Sequence, residues 1–246
     1  MNKNGLVLGV DIGGSKINMV LWNAKKVLKI WRAQSATLTN LKKGVEFFSR
    51  PNDPQGVVDF KIGVAVPGLV DETTGTILRC PNLPAFNNLN LKKELKQNVR
   101  ISNDTKCFLK AETEVGAGKG YKDILGVIFG TGIGGAINGF QGKDGWAGEF
   151  GHMVIDKGKS WEKLYQTTKQ KPKEQEKINA IGFANLINIF NPEIIILGGK
   201  GARLLFGEGA ELLSGRLLLP KRQMPKIVES KLGGNAVAIG AAMLWK

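Results

Sequence analysis

An α/β fold with helices covering mixed sheets, built as two similar lobes, is predicted by three features of this sequence. Residues 6–17 (LVLGVDIGGSKI) and 125–136 (LGVIFGTGIGGA) resemble each other, each reading as apolar strand, glycine-rich turn and second strand, the signature of a β-hairpin. The continuous apolar run from Glu193 to Leu197 fits a strand buried on both faces of a sheet. Helical periodicity alternates with these strands, and that order yields layered α/β architecture.

The elements follow in order. The first hairpin is succeeded by strands at 61–66 (KIGVAV) and around 100–102, then a helix over 105–115. The second hairpin precedes a helix over 173–190, with Ile178, Ile181, Leu186 and Phe190 on roughly one side and Asn191-Pro192 as its stop. The strand at 193–197 and a helix over 236–244 complete the pattern. The charge-rich stretch 169–177 (KQKPKEQEK) reads as a solvated loop and first helical turn, with no function assigned.

With 246 residues and 42% hydrophobic content, the chain can bury one large core or two modest ones, which excludes disorder as the default. Its 33 glycines gather at strand-to-turn positions instead of forming a repeat, so they point to tight turns and phosphate contacts. Cys80 and Cys107 alone cannot build a disulfide framework or a cysteine-rich metal site, and they suit a reducing cytoplasm. The first residues lack the apolar core of a signal peptide, and no apolar run approaches the roughly 18 residues of a membrane span, so a soluble cytoplasmic protein without a membrane partner is expected. The net charge of +14, from 35 Lys and Arg against 21 Asp and Glu, suits anionic partners in general. Because the basic residues are spread along the chain without a basic helix or arginine cluster, phosphorylated small molecules are expected and nucleic acid is not.

Three motifs carry chemistry. Asp11-Ile12-Gly13-Gly14-Ser15-Lys16 sets a carboxylate at a strand end, followed by glycines that let the backbone approach a ligand. Alone it is also what a plain hairpin requires. Gly130-Thr131-Gly132-Ile133-Gly134-Gly135 repeats the pattern, with Gly130 at the place of Asp11, so each lobe offers a turn whose N–H groups can hold phosphate oxygens, while Asp11 orients Mg²⁺ through water. Neither run is a P-loop or a dinucleotide fingerprint. Asn103-Asp104-Thr105 lies between strand and helix. It fits helix capping, and it equally fits Asp104 as the base that takes a proton from a sugar hydroxyl with Asn103 bonded to a neighbouring hydroxyl; the two readings are compatible. Gly148-Glu149-Phe150-Gly151-His152 sets an acid three residues before the single histidine, either a structural pair or a polyol-binding one.

These motifs, with Val66-Pro67-Gly68-Leu69-Val70-Asp71, Pro81-Asn82-Leu83-Pro84 and Leu197-Gly198-Gly199, occur in an order that resembles the ROK family (repressor, open reading frame, kinase) from about Gly5 to Ala242. The resemblance implies an actin/hexokinase-like (ribonuclease H-like) duplicated fold with two lobes around a central cleft. It divides the chain into a small lobe over 1–102, on which a helix over about 234–246 packs back, and a large lobe over 103–233. It implies ATP and Mg²⁺ as cosubstrates and a hexose as acceptor, glucose first, giving a hexose 6-phosphate. An N-acetylhexosamine or fructose kinase, or a sugar-binding sensor without turnover, are its alternatives. Asp104 would be the base; Asn82, Asn103, Asp104, Glu149, His152 and Glu162 would hold the sugar; Asp11, Gly13, Gly14, Ser15, Lys16, Gly130, Thr131, Gly132, Gly134, Gly198 and Gly199 would line the nucleotide site, with Asp11 nearest the metal.

Two departures stand out. Many members follow the Gly-His pair with cysteines that bind zinc, whereas this chain has none after Cys107 and reads Ser160-Trp161-Glu162 where that run would end, so zinc is not expected. The chain is also shorter than typical members, chiefly between Lys169 and Asn191, which weakens the family's expectation of a homodimer. Its first strand begins by Leu6, leaving no room for the helix-turn-helix of the family's repressors.

Overall fold

The computed structural model describes residues 5–49, 60–199 and 208–246. The chain divides into two compact units, Met1–Ala111 with Gly234–Lys246, and Glu112–Gly233.

In the first unit, β1 (Val7–Ile12), β2 (Ile17–Trp22) and β3 (Val27–Ala33) form an antiparallel meander. Helix α1 (Leu38–Ser49) follows, then β4 (Lys61–Val66), which pairs parallel with β1. Next comes a small sheet of β5 (Leu69–Asp71), β6 (Thr76–Arg79) and β7 (Leu89–Asn90), and then α2 (Leu91–Leu95). Strand β8 (Val99–Asn103) pairs parallel with β4 and leads into α3 (Asp104–Val115), inside which the division between the units falls. The main sheet therefore runs β3-β2-β1-β4-β8. Alternation decides which side faces the core: Leu8, Val10 and Ile12 join Ile62, Val64 and Val66 in one cluster with Leu41, Val45 and Phe48 of α1.

The second unit holds β9 (Ile124–Phe129) and β10 (Ile133–Ile137), an antiparallel hairpin, then the short pair β11 (Val154–Asp156) and β12 (Lys159–Ser160). Helices α4 (Trp161–Thr168) and α5 (Pro172–Phe190) precede β13 (Ile194–Gly199), and α6 (Glu208–Ser214) precedes β14 (Lys226–Glu229). The sheet order is β10-β9-β13-β14 with the last three strands parallel. Both sheets are thus an antiparallel hairpin whose first strand continues into two parallel neighbours, and among the described residues the second sheet has no equivalent of β3. Trp161 anchors this core: it is fully buried, its ring meets Phe183 edge-on at 5.2 Å, and its indole N–H donates to Asn179 Oδ1 at 3.0 Å. Burying that indole turns α5, so that Ala180, Phe183, Ala184, Leu186 and Ile187 face inward. Phe190, grouped with Ile178, Ile181 and Leu186 by periodicity, is 37% exposed while Leu186 is fully buried.

Helix α7 (Ala236–Ala242) returns to the first unit and lies on the face of its sheet opposite α1. Its approach requires small residues on both partners: a Cβ on Gly9 would stand 1.9 Å from the Ala238 carbonyl oxygen, and one on Gly63 would stand 1.8 Å from that of Ala241. No helix among the described residues is long and apolar enough to cross a membrane.

Candidate functional site

In the first unit the carboxyl ends of β1, β4 and β8 lie side by side, with Asp11 opposite Ala65 and Val66 opposite Asn103. Such strand ends are where open α/β sheets bind ligands. Asp11 points away from the core because its neighbours Val10 and Ile12 point into it. Asn103 caps α3: its Oδ1 accepts the N–H groups of Thr105 at 2.9 Å and Lys106 at 3.3 Å, and its Nδ2 donates to the Gly68 carbonyl at 3.2 Å. Capping therefore belongs to Asn103, which retains a second amide N–H, and Asp104 opens the helix. The Asp104 Oδ1 accepts the Thr105 N–H at 2.8 Å and its hydroxyl at 3.3 Å.

Both carboxyls here bind protons more tightly than usual. Burial raises Asp104, with the Thr105 bonds opposing it. Asp11 is pushed up to about 7 by burial first and the Asp104 charge second, while Lys16 pulls it down. The same Asp104 charge reaches Cys80, whose thiol is raised to about 11 chiefly by burial. That places the turn holding exposed Asn82 on the Asp104 side of the unit. Gly68 explains the Pro67-Gly68 motif: at φ +96°, it lies where a Cβ would stand 2.2 Å from the Arg79 carbonyl oxygen, directly before that turn. The β1–β2 turn is closed by the Gly13 N–H donating to the Lys16 carbonyl at 2.9 Å, leaving Gly14, Ser15 and Lys16 exposed.

In the second unit the Gly130 N–H donates to the Gly132 carbonyl at 2.9 Å, and the N–H groups of Thr131 and Gly132 have no protein partner among the described residues. Counted from the last paired residue of each hairpin, Ile12 and Phe129, the counterpart of Asp11 is Ile128, not Gly130. Gly130 corresponds to Gly13, each being the first residue after the last pair, and the second turn is one residue shorter. Gly134 is not part of the turn: it pairs with Ile128 in β10, and Gly198 pairs with Ile128 from the other side in β13. Together they leave the backbone on both sides of Ile128 free of side chains. Gly199 ends β13 opposite Phe129.

Phe150 is buried and Phe150–His152 forms one 3-10 turn, closed by the His152 N–H donating to the Glu149 carbonyl at 3.0 Å. The Glu149 and His152 side chains flank this turn and are both exposed. Glu162 is placed differently. Ser160 caps α4, and from its first turn the Glu162 Oε2 accepts the Ile133 N–H at 2.8 Å. This carboxylate, assigned to the sugar by resemblance, is thus held at the glycine turn. Two residues escaped the sequence reading: Gln166 Nε2 and Lys169 Nζ each lie 3.4 Å from the Thr131 carbonyl oxygen. Their spacing from Glu162, at i, i+4 and i+7, was the available signal. Among the described residues no three His, Cys, Asp or Glu side chains cluster as a metal site.

A family model described as the ROK family matches residues 7–163. The chain belongs to the ROK family. It is 27% identical over 300 residues to an N-acetyl-D-glucosamine kinase of Pectobacterium atrosepticum, covering 96% of this chain and 97% of that one. It is 26% identical over 314 residues to a xylose repressor of Caldicellulosiruptor bescii, covering 98% and 78% respectively. The inorganic polyphosphate/ATP-glucomannokinase of an Arthrobacter species shares the fold with a TM-score of 0.74 and 27% identity, covering 98% of each chain. The architecture is the actin/hexokinase-like one expected from the ROK resemblance. The ROK match contains Asp11, Asp104, the 130–132 turn, Glu149, His152 and Glu162, while Gly198 and Gly199 lie beyond it.

Proposed function

We propose that this protein is a sugar kinase that transfers the terminal phosphoryl group of ATP to a hydroxyl of a hexose or N-acetylhexosamine, with Asp104 as general base. The observation that carries the reading is the pair Asp104 and Asp11: two carboxyls at the same edge of one sheet, at the ends of β8 and β1 on either side of β4, both raised by burial, one at the start of a helix and one beside a glycine turn. A carboxyl raised by burial, as Asp104 is, is a stronger base than an ordinary Asp and suits proton removal from an alcohol. As the sugar oxygen bonds to phosphorus and the bond to the departing ADP oxygen breaks, the hydroxyl proton passes to Asp104. Mg²⁺, when bound, neutralises charge on the phosphates, and Asp11 would hold it through water. The N–H groups of both glycine turns would receive phosphate oxygens. Asn82, the second N–H of Asn103, Glu149 and His152 would meet the sugar hydroxyls.

Similarity to an N-acetyl-D-glucosamine kinase moves the first choice of acceptor from glucose to N-acetylglucosamine, with glucose next. The glucomannokinase supports ATP as donor and makes inorganic polyphosphate the second donor to try. Similarity to a xylose repressor supports a second reading, sugar binding without turnover.

The test is ADP release with MgATP against N-acetylglucosamine, N-acetylmannosamine, glucose, mannose and fructose. Turnover should appear with at least one sugar and fall by on the order of 10²–10⁴ in Asp104→Ala, with sugar affinity retained. Undiminished turnover in that variant would remove Asp104 from the chemistry; sugar binding without turnover in the wild type would put the second reading first.

A further inference from the structure

At the ends of β1 and β4 opposite Asp11 and Val66, the first unit holds a cavity of about 430 Å³. Its walls include Gly5, Trp22, Phe60, Lys61, Met243 and Trp245. Cavities of this size with aromatic walls and few polar groups are the usual sites for small organic ligands. Trp245 is held firmly in the wall. Its indole N–H donates to the Ile62 carbonyl at 2.8 Å, and the Arg100 guanidinium, 4.4 Å from the ring centroid, donates to the Leu244 carbonyl at 2.6 Å. Trp22 is 6% exposed, yet its indole N–H has no hydrogen-bond partner among the described residues, whereas those of Trp161 and Trp245 both have one. A buried indole normally pairs its N–H, so an unused donor in a cavity wall calls for an acceptor that the described residues do not supply. One water takes only about 30 Å³ of liquid volume, a small part of this space. The charges point the same way. Lys61 Nζ lies 5.0 Å from the Trp245 centroid, and neither Lys61 nor Arg100 has a carboxylate partner among the described residues. Two cations thus share one ring with no acid beside them, an arrangement that a bound anion stabilises.

We propose that this cavity is a second binding site, separate from the phosphoryl-transfer residues, and that its ligand is a flat aromatic carboxylate. The ligand's ring lies among Trp22, Phe60 and Trp245, while its carboxylate accepts from the Trp22 N–H and meets the Lys61 ammonium. The site is remote from the candidate catalytic pair along the strands themselves: β1 runs from the cavity at Val7 to Asp11, and β4 runs from the cavity at Lys61 to Val66. Gly5 borders open space, since a Cβ there would meet nothing within 4 Å. A sugar or a nucleotide phosphate suits the cavity less, because its walls supply stacking surface and few donors.

The experiment titrates the full chain by isothermal calorimetry with 2-naphthoate and with its uncharged counterpart 2-naphthalenemethanol, in wild type, Lys61→Met and Gly5→Phe. Wild type should bind 2-naphthoate with a Kd on the order of 10⁻⁴ M and the alcohol about tenfold more weakly. Lys61→Met should weaken the carboxylate about tenfold and leave the alcohol unchanged. Gly5→Phe, which sets a ring in the cavity at a position free of packing, should abolish binding of both. If Gly5→Phe does not fold, the Lys61→Met comparison carries the test. Saturation with Mg²⁺ and the non-hydrolysable analogue AMPPNP should leave 2-naphthoate binding unchanged; displacement by the nucleotide would put the probe in the nucleotide site and overturn the proposal. Equal affinity of wild type for the two probes would overturn the choice of an anion. Binding untouched by Gly5→Phe would place the probe elsewhere, and the absence of binding by either probe would remove the site.

Discussion

The two glycine turns are the same device in two chemical settings. Each closes a hairpin at the first strand of a parallel array, and each is shut by one internal N–H to carbonyl bond. The first carries its own ionisable groups, Asp11 with a pKa of about 7 and Lys16, and sits beside Asp104. The second has Ile128 where the first has Asp11, and takes its polar partners from a helix: Glu162, Gln166 and Lys169 of the α4 stripe. The two hairpins therefore share strand pairing and an internally closed turn, while turn length differs by one residue and the charges come from different parts of the chain. In the proposed reaction the turn with internal charges would tune proton and metal chemistry, while the one braced from outside would offer backbone donors with no carboxylate of its own.

The comparison breaks most sharply at Asp11. Asp11→Asn removes the first turn's carboxylate, and turnover should drop on the order of a hundredfold with sugar affinity unchanged, measured in the same ADP-release assay. Its effect on stability has the opposite sign. A carboxyl raised from 3.8 to about 7 in the folded state favours folding when protonated, and that contribution is lost as pH rises from 3.8 through about 7. Thermal melts should therefore show Asp11→Asn gaining on wild type on the order of 5 °C at pH 8 and almost nothing below pH 4. An equal gain at both pH values would mean that Asp11 carries no unfavourable buried charge.

The second turn is sharpened by a double-mutant cycle. Gly132→Ala displaces the Glu162 carboxylate and should weaken nucleotide binding about tenfold alone, yet only slightly in a Glu162→Ala background. Additive losses would show that the two residues act separately. Gly13→Ala in the first turn is the control, since its Cβ would meet nothing closer than 3.4 Å. The smallest effect belongs to Lys169→Ala, a few-fold rise in the KM for ATP that shrinks as salt rises, read from initial rates at two ionic strengths. A rise independent of salt would assign Lys169 to shape instead of charge.

Much of this was legible in the linear chain, and the failures have identifiable causes. The hairpins, the 61–66 strand, the buried 193–197 run and three helices followed from periodicity, because a two-residue or 3.6-residue repeat is set by which side chains must leave water. Strand β3 was missed because its alternation is between half-buried and exposed residues, a weak contrast at a sheet edge. Helix α4 was missed because Trp161, Leu164, Tyr165 and Thr168 form its only buried stripe and Ser160 its only cap, short signals in a stretch read as a replaced metal run. Asn103-Asp104-Thr105 was read as a capping segment, but which residue capped depended on one hydrogen-bond geometry.

By itself the sequence determined the two hairpins, the separation of Asp11 and Asp104 onto different strand ends, and the small residues that let α7 lie on β1 and β4. Those outcomes follow from local rules of alternation, turn chemistry and side-chain size. Only the tertiary structure decided that Asp11 and Asp104 sense each other's charge, that Ile128 and not Gly130 answers to Asp11, and that Glu162 reaches the glycine turn from a helix 29 residues further along the chain. Charge coupling and hydrogen bonding depend on distances of a few ångströms between residues far apart in sequence, and packing alone sets those distances.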